Sequence, residues 1–324
     1  MRRINKKIEI AIKPYYGKMF LENKIFDHKV SHNPFYGLRR KLQEKGIEIN
    51  TIDKIKNPKY YFYCDIPYPW ELKTLYTMIK NRKKNILFTF ESPIANPINN
   101  IKLFHLFFKK IYTWNDKFFF KRDPKYKKFF FPQDIDKKVV KQKPFSKKKL
   151  LVMINSNKKS IFLYKLFVLW QKDQRYKIAH LLSQYIEDDF DLYGKGWDIS
   201  SKSYKGKYRG DKIKKLSKYK FCICFENSSS PGYITEKIFD CFVARCVPVY
   251  LGPSNIGKYI PLNTFVDFSK FKNHKNLIEF LNSMGKDEHE QYINNAKIFI
   301  SKKETKDKWS RKSFEDILVK ESLE

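Results

Sequence analysis

Three polar side chains stand at one junction between a loop and a helix, and their types suit the binding of a phosphorylated ligand. Tyr233, Glu236 and Lys237 follow the apolar run KFCICF and the turn-forming stretch ENSSSPG. A helix N-terminus carries partial positive charge and free N–H groups, so it attracts phosphate. A lysine there adds a full charge for a pyrophosphate, a carboxylate accepts from ribose hydroxyls, and a tyrosine can lie against a base or bond a phosphate.

Each of these residues also has an ordinary structural explanation. An acidic residue in the first turn compensates the helix dipole, and a lysine on an exposed helix face is simply solvated. On a helical wheel the apolar residues share one side, whereas Glu236, Lys237 and Asp240 share the other, which predicts a polar face. From these residues alone both explanations stay open.

The elements around this junction follow a repeating strand and helix order. In the first part of the chain, strands are predicted at 8–12, 60–64, 85–90, 109–114 and 127–135, and helices at 35–45 and 71–80. In the second part, strands are predicted at 150–154, 190–193, 219–225 and 247–251, helices at 161–170, 174–185, 212–216 and 235–244, and a helical tail from Leu277 onward. Short apolar strands alternating with helices are typical of βαβ units and a parallel sheet.

A charged, proline-containing stretch, KKVVKQKPFSKKK, separates the two series. We therefore predict a Rossmann-like N-terminal domain at 1–136, a linker at 137–149 and a second Rossmann-like domain at 150–300. A C-terminal helix at 301–324 is expected, with packing back on the N-terminal domain as one arrangement. The predicted class is α/β, with two domains facing each other across a cleft and ligands at the carboxyl ends of the strands.

The chain is strongly basic. Lys and Arg number 67 against 34 Asp and Glu, a formal net charge of +33 in 324 residues, and 17% of the residues are aromatic. Such a surface attracts nucleic acid, anionic lipid headgroups or phosphorylated small molecules. Runs such as NRKKN and FSKKK are also typical of solvated faces. A basic nucleic-acid-binding protein stays an alternative, although the basic residues are spread rather than grouped into a recognised motif.

Neither the first residues nor the cysteines indicate an exported protein. The opening MRRINKKIEIAIKP has only a short apolar run, which fits a first strand better than a signal sequence. The cysteines form no CxxC pair, and four of them lie in apolar segments, so we predict buried free thiols in a cytoplasmic protein. The cysteines are Cys64, Cys222, Cys224, Cys241 and Cys246.

The stretch Tyr219–Pro261 resembles the donor-binding motif of the α1,3/1,4-fucosyltransferases, glycosyltransferase family ten. Its FENS, YITEK, VPV and LGPS elements follow the family's order and include polar positions that packing would not dictate. MINSNKKS at Met153–Ser160, with the later DFDLYGKGW, resembles the first part of the family's donor domain. FTFESP at Phe88–Pro93 resembles an acceptor-side segment. Together these matches cover most of residues 85–270.

The resemblance implies a GT-B fold and an inverting enzyme that moves L-fucose from GDP-fucose to a glycan hydroxyl. O3 of GlcNAc or glucose, in a lipopolysaccharide or lactosamine-type acceptor, is the expected position. It implies Glu91 as the general base, and Glu91 does follow an apolar strand, although its position alone would also suit a turn-capping acid. The donor-binding residues that it implies are Arg175, Asn227, Tyr233, Glu236 and Lys237.

Partners and cofactors follow from the same resemblance. GDP-fucose and a glycan acceptor are the expected partners, no metal or other cofactor is expected to be essential, and no nucleic acid is expected. The basic, aromatic-rich exterior further suggests peripheral contact with an anionic membrane at its inner face. A GT-B enzyme using another nucleotide-sugar stays an alternative, because residue physics does not identify guanine or fucose.

Rival motifs have less support. Asp189–Asp191 has the Asp-x-Asp form that GT-A glycosyltransferases use to hold a metal, but it leads into a predicted strand. His28 and His32 are four apart and lack both the glutamate and the third ligand of a zinc site, so we predict a surface loop there. GxxxxGK[ST] and GxGxxG are absent from the sequence, so ATPase and NAD-binding functions lack support.

Overall fold

The protein divides into two compact units. A computed structural model describes residues 8–15, 21–27, 33–119, 122–136, 142–157 and 174–324. The first unit comprises Met1–Asp134 and Asp307–Glu324, and the second comprises Ile135–Lys306. The helix predicted at 161–170 and the histidines at 28 and 32 lie outside the described residues.

The first unit is built on a parallel sheet. Its strand order is β2-β1-β3-β4-β5-β6, and every neighbouring pair is parallel. The chain order reverses between β1 and β3, and ligands of open parallel sheets bind outside the carboxyl ends of the strands at such a reversal. The strands are β1 (Ile8–Lys13), β2 (Ile47–Thr51), β3 (Tyr60–Cys64), β4 (Asn85–Phe88), β5 (Lys110–Thr113) and β6 (Tyr126–Lys128).

Both faces of this sheet are buried, as expected for parallel strands with near-continuous apolar runs. All five residues of β3 are buried. Alternate side chains point to opposite faces, so Phe62 and Phe88 belong to one core cluster, whereas Tyr63 and Leu87 belong to another. The helices of this part of the chain are α1 (Lys24–Asp27), α2 (Leu38–Gln43), α3 (Leu72–Lys80) and α4 (Lys102–His105).

Two predicted elements of the first unit are much longer than the observed ones. The strand predicted at 127–135 ends at Lys128, and farther along the chain the main-chain N–H of Gln133 donates to the carbonyl of Trp309 at 2.6 Å instead of joining the sheet. The helix predicted from residue 35 begins at Leu38. The N–H of Phe35 donates to the side chain of Asn33 at 3.0 Å, which holds a turn before the helix.

The second unit repeats the parallel arrangement with a smaller sheet. Its strand order is β11-β10-β9-β7-β8, again with parallel neighbours and with a reversal between β7 and β9. The central strand β9 is buried at nearly every residue. The strands are β7 (Lys149–Ile154), β8 (Phe190–Tyr193), β9 (Tyr219–Phe225), β10 (Val247–Leu251) and β11 (Val266–Asp267).

Helices of the second unit begin close to where the sequence predicts them. Part of the predicted linker at 137–149 belongs to the packed unit, because Lys148 Nζ donates to Gln142 Oε1 at 3.0 Å and to the carbonyl of Arg245 at 2.9 Å. Within the described residues, no helix combines the length and apolarity that a membrane span requires. The helices are α5 (Gln174–Tyr185), α6 (Lys212–Leu216), α7 (Glu236–Ala244), α8 (His274–Ser283) and α9 (Lys286–Ser301).

The helical tail ends on the first unit. After α10 (Lys303–Trp309), helix α11 (Arg311–Leu323) contributes Phe314 and Leu318 to the cluster that contains Phe88. The buried carboxylate of Glu321 accepts from the hydroxyl of Tyr112 and from Lys110 Nζ, the latter at 2.7 Å. The hydrophobic core of the first unit therefore includes residues that are distant in sequence from its strands.

Candidate functional site

The loop between β9 and α7 lies at the reversal of strand order in the second sheet, where a ligand site is expected. It runs from Glu226 to Thr235, and Thr235 is the residue before the first turn of α7. Gly232 has a φ of 84° and donates its N–H to Asn255 Oδ1 at 3.1 Å. A side chain at Gly232 would be strained, so the turn needs glycine.

The buried side chain of Glu226 holds the loop between β9 and α7 in place through hydrogen bonds. Its carboxylate is fully buried and accepts from the N–H of Thr235 at 2.8 Å and from the Thr235 hydroxyl at 2.7 Å. The Tyr250 hydroxyl lies 3.4 Å from the same group. A buried carboxylate is stable only when it is paired and hydrogen-bonded, and here it ties the end of β9 to the start of α7. Glu226 was not among the predicted site residues.

Lys237 completes this network with a positive charge. Its Nζ lies 3.0 Å from Glu226 Oε2 and donates to the Thr235 hydroxyl at 3.0 Å. Burial disfavours the charged amine, but Glu226 and Glu236 more than offset it and raise the pKa of Lys237. The side chain is 13% exposed, so the explanation of Lys237 as a solvated helix lysine is wrong.

Glu236 keeps more contact with solvent than its neighbour. Its side chain is 32% exposed in the first turn of α7, and its Oε1 lies 3.9 Å from Lys237 Nζ. A carboxylate at this position can accept hydrogen bonds from a ligand's hydroxyl groups while it compensates the helix dipole. The structure is therefore compatible with both explanations of Glu236.

The predicted polar face of α7 is wrong at Asp240. This residue is buried, and its Oδ2 lies 2.8 Å from Lys212 Nζ. Burial opposes the charge on Lys212, but Asp240 and Glu236 raise the pKa of its amine. Helix α7 contacts α6, α9 and β10, so it is enclosed on sides that a surface helix would leave open.

Arg175 and Asn227 meet at the same end of β9. Arg175 lies in the first turn of α5, and its Nη1 donates to Asn227 Oδ1 at 2.8 Å. Asn227 immediately follows Glu226, so the bond links the helix after β7 to the loop after β9. The planar guanidinium group presents its N–H donors in a fixed fork, a geometry that suits phosphate oxygens.

Tyr233 is 2% exposed, and its N–H donates to the carbonyl of Ser230 at 3.0 Å. The ring is therefore packed within the second unit rather than displayed as an open stacking surface. The sequence singled out this residue for contact with a base or phosphate, and its burial favours a role in shaping the loop.

The residues that follow β7 and β8 approach each other closely. The main chain at Gly194 approaches Asn155 so closely that a Cβ would lie 1.9 Å from the Asn155 carbonyl oxygen, and its φ is +146°. Trp197 Nε1 donates to the same oxygen at 2.7 Å. Only glycine fits there, which explains the first glycine of DFDLYGKGW.

In the first unit, Glu91 follows β4 in a half-buried loop. The loop is held by Asp65, whose Oδ1 accepts from the N–H groups of Phe90 at 2.7 Å and Glu91 at 3.1 Å. Asn99 Nδ2 donates to the same oxygen at 2.6 Å. Asp65 directly follows β3, the strand next to β4, and its φ of 65° is unusual for a residue other than glycine.

Asp65 is buried, and it was not among the predicted site residues. Among the described residues, its Oδ2 has no hydrogen-bond partner. Burial raises the pKa of the Asp65 carboxyl, while the N–H donors and the charge of Lys13 oppose that rise. The signal was present in the sequence, because Asp65 follows β3 as Glu91 follows β4, but the bonds between the two loops depend on β3 and β4 being neighbours in the sheet.

In the Asp-x-Asp motif at Asp189–Asp191, the carboxylate of Asp191 is already bonded to other side chains. Asp191 lies within β8, where Lys149 Nζ donates to it at 2.7 Å and the Tyr219 hydroxyl donates to its other oxygen. Within the described part of the chain, no cluster of three or more His, Cys, Asp or Glu side chains could hold a metal ion. All five cysteines are buried and free of disulfides, which confirms the prediction of buried free thiols.

The architecture places the protein in a known class. Its two units with parallel sheets have the fold of GT-B glycosyltransferases. One structural relative is an alpha1,3-fucosyltransferase with GDP, at a TM-score of 0.55 and 16% identity over 98% of this chain and 90% of that one. Another is Anabaena Alr3699/HepE in complex with UDP-glucose, at a TM-score of 0.54 and 10% identity over 88% of each chain.

Within that class, the chain belongs to glycosyltransferase family 10 (fucosyltransferase). The model of the family's C-terminal region matches residues 146–313, which include all the site residues of the second unit. Sequence relatives include the 4-galactosyl-N-acetylglucosaminide 3-alpha-L-fucosyltransferase FUT6 of Gorilla gorilla gorilla, 38% identical over 99 residues. The human 3-galactosyl-N-acetylglucosaminide 4-alpha-L-fucosyltransferase FUT3 has the same identity over 99 residues. Each match spans 30% of this chain and 27% of the relative.

Proposed function

We propose that the protein is an inverting fucosyltransferase that moves L-fucose from GDP-fucose to a glycan hydroxyl. The observation that carries the proposal is the gathering of Arg175, Asn227, Glu236 and Lys237 at the carboxyl end of β9, within the segment that matches family 10. A structural relative was solved with GDP-fucose, which supports the choice of donor. UDP-glucose, bound in another relative, is the competing donor to test.

The second unit would bind the donor. Lys237 and Arg175 supply positive charge for the diphosphate, assisted by the N–H groups at the start of α7. Glu236 accepts from the ribose hydroxyls, and Asn227 orients the guanidinium of Arg175. Because Glu226 fixes the ammonium of Lys237, the charge needs no rearrangement when the diphosphate binds.

Transfer would then proceed by a single displacement. The acceptor oxygen forms a bond to C1 of fucose on the face opposite the nucleotide, and the bond from C1 to the phosphate oxygen breaks. The electron pair of that bond goes to the β-phosphate, whose growing charge the two cations stabilise. Glu91 takes the proton of the acceptor hydroxyl as general base. Inversion follows from attack on the opposite face.

The acceptor is a glycan of the lactosamine or lipopolysaccharide type, with transfer to O3 of GlcNAc or glucose. The names of the sequence relatives, which act on galactosyl-N-acetylglucosaminides, support this choice. Because side-chain cations serve the diphosphate, we expect transfer to continue in the presence of EDTA.

The test is release of GDP from GDP-fucose by the purified chain, with and without N-acetyllactosamine. Glu91→Gln should abolish the acceptor-stimulated release while leaving GDP binding intact, and Lys237→Ala should weaken GDP binding itself. Glu279→Gln and Lys275→Ala are controls, since this exposed pair on α8 lies 4.0 Å apart and should not affect either quantity. A wild-type chain that neither binds GDP nor releases it would overturn the donor assignment.

A further inference from the structure

Helix α3 carries a stripe of apolar side chains that face solvent instead of the hydrophobic core. Leu72, Tyr76 and Ile79 are 73%, 66% and 52% exposed, although Met78 on the same helix is buried. Residues spaced by four and then three positions share one side of a helix. Exposed apolar residues are common singly, but a stripe along one helix marks an interaction surface.

Helix α4 adds exposed apolar side chains on the same side of the first unit. Leu103 and Leu106 are 65% and 66% exposed, and Ile101, just before the helix, is 45% exposed. Asn85 Nδ2 donates to the carbonyl of Met78 on α3 at 2.7 Å and to that of Phe107, two residues after α4, at 2.9 Å, and Leu75 of α3 and Phe104 of α4 pack against the same core cluster. The two helices therefore cover the same sheet face. We call their outer residues the α3–α4 surface: Leu72, Tyr76, Ile79, Ile101, Leu103 and Leu106.

The segment from Ile66 to Tyr112 carries a large excess of positive charge. Between Ile66 and Tyr112 the acidic residues are Glu71 and Glu91, and Glu71 is 17% exposed and lies 3.6 Å from Lys13 Nζ. The basic residues of the same stretch are Lys73, Lys80, Arg82, Lys83, Lys84, Lys102 and Lys109, together with Lys110, which is paired with Glu321 and Glu324. Apolar side chains bordered by cations match the boundary between lipid headgroups and acyl chains.

An aromatic pair lies directly before α3. Tyr68 and Trp70 are stacked with ring centroids 4.7 Å apart, and Trp70 is 64% exposed. Tryptophan and tyrosine are favoured at membrane interfaces because an apolar ring carries a polar group. The pair therefore extends the α3–α4 surface with side chains that also favour a membrane interface.

We infer that the α3–α4 surface docks the first unit onto an anionic lipid bilayer. The apolar side chains enter the boundary region of the bilayer, and the surrounding lysines bind the phosphate groups of the lipids. A second copy of the chain fits less well, because a symmetric contact would bring lysines against lysines. The inference needs no transfer activity, so it can be tested without donor or acceptor.

The test is flotation of the purified full chain with vesicles of phosphatidylglycerol and phosphatidylethanolamine, beside vesicles of phosphatidylcholine. Binding should prefer the anionic vesicles and weaken as salt rises. Replacing Leu72, Tyr76 and Ile79 together by serine should lower the bound fraction at least about tenfold. The double substitution Lys73→Gln and Lys80→Gln should lower it about fivefold or more at low salt.

Matched substitutions in the second unit control for loss of apolar area and charge. Leu262, Tyr185 and Ile298 have the same residue types and are 53%, 71% and 58% exposed, and their replacement by serine should leave binding unchanged. Lys286→Gln with Lys297→Gln controls for charge. Equal loss in the control variants, or no preference for anionic vesicles, would overturn the inference. So would a dimer, seen by light scattering, that the α3 substitutions dissociate without changing vesicle binding.

Discussion

The ammonium of Lys237 lies 3.0 Å from Oε2 of Glu226, and the carboxylate of that pair is completely enclosed. Thr235 joins both groups, since its hydroxyl contacts the carboxylate at 2.7 Å and the ammonium at 3.0 Å. A cation held by a buried anion cannot swing away as a surface lysine would. The positive charge at the head of α7 is therefore fixed in place.

Breaking this pair should destabilise the second unit. Glu226→Gln or Lys237→Met leaves one charge buried without its partner, and each should lower the free energy of unfolding by about 3 kcal/mol. The double variant removes both charges and should recover part of the loss, giving a coupling free energy of about 2 kcal/mol. Urea denaturation followed by circular dichroism measures the cycle. Strict additivity of the two single effects would contradict the coupling.

Asp65 should determine the order of the loop that carries Glu91. Asp65→Ala removes the acceptor of the Phe90 and Glu91 N–H groups, so both amides should exchange with solvent faster. Misplacement of the base should lower acceptor-dependent kcat by about 10-fold to 100-fold, with GDP affinity unchanged.

Two further variants separate the hydrogen bonds of Asp65 from its backbone strain. Asp65→Asn keeps an acceptor oxygen and tolerates the positive φ, so protection of the two amides should be largely retained. Asp65→Gly relieves the strain but removes the acceptor, so it should resemble Asp65→Ala. The role would be refuted by amides that stay protected in both Asp65→Ala and Asp65→Gly. That exchange result does not depend on the proposed activity.

Gly194 should tolerate no side chain. Gly194→Ala places a Cβ 1.9 Å from the Asn155 carbonyl oxygen at a φ of +146°, so stability should fall by about 3 kcal/mol or more. Gly206→Ala has open space but a φ of +71°, and should cost about 1 kcal/mol. Gly285→Ala has neither problem, but alanine is a poorer N-cap for α9 than glycine, so it should cost about 0.5 kcal/mol. Thermal unfolding of the three variants tests this order.

His289 should make the second unit sensitive to acid. Burial lowers the pKa of its ring to about 4, with Lys148 and Lys220 adding to the shift. The neutral ring donates from Nε2 to the carbonyl of Lys220 at 3.0 Å. Because the folded state favours the neutral ring, His289 makes its full contribution to the free energy of unfolding above pH 6.5. It should fall by about 2 to 3 kcal/mol as the pH drops from 6.5 to 4.

The measurement compares the wild type with His289→Gln, which keeps a donor for Lys220. Denaturation midpoints taken between pH 7 and pH 4 should show the wild-type advantage shrinking as the solution becomes more acid. A difference between the two proteins that does not change with pH would contradict the lowered pKa.

Most of the parallel strands and the loop after β9 could be predicted from sequence because their signals are local, whereas the strands β2 and β11 were not predicted. The run KFCICF is apolar throughout, and the residues after it change at once to turn formers, so strand and loop were placed correctly. The apolar run FFF at 129–131 was misassigned to a strand for the same reason. The apolar pattern of a segment indicates that its side chains are buried. Whether the segment pairs as a strand depends on an adjacent strand, and the segment's own sequence does not reveal that strand.

The failures within the site concern partners that are distant in sequence. Asp240 lies on the polar side of its helical wheel, and its exposure was the natural expectation. Lys212 on α6 enters the core and pairs with it at 2.8 Å, so the carboxylate is buried instead. Asp65 was overlooked because its bonds to residues 90 and 91 exist only when β3 and β4 are neighbours. Such contacts follow from topology, not from spacing.

The return of α11 to the first unit imposes an order of assembly during synthesis. Phe314 and Leu318 belong to the same cluster as Phe88, and Glu321 is bonded to Lys110 and Tyr112. The ribosome must therefore deliver residues 307–324 before that core can close, whereas the second unit is contiguous and has all of its residues earlier. During that interval the aromatic cluster lacks the side chains that α11 contributes to it.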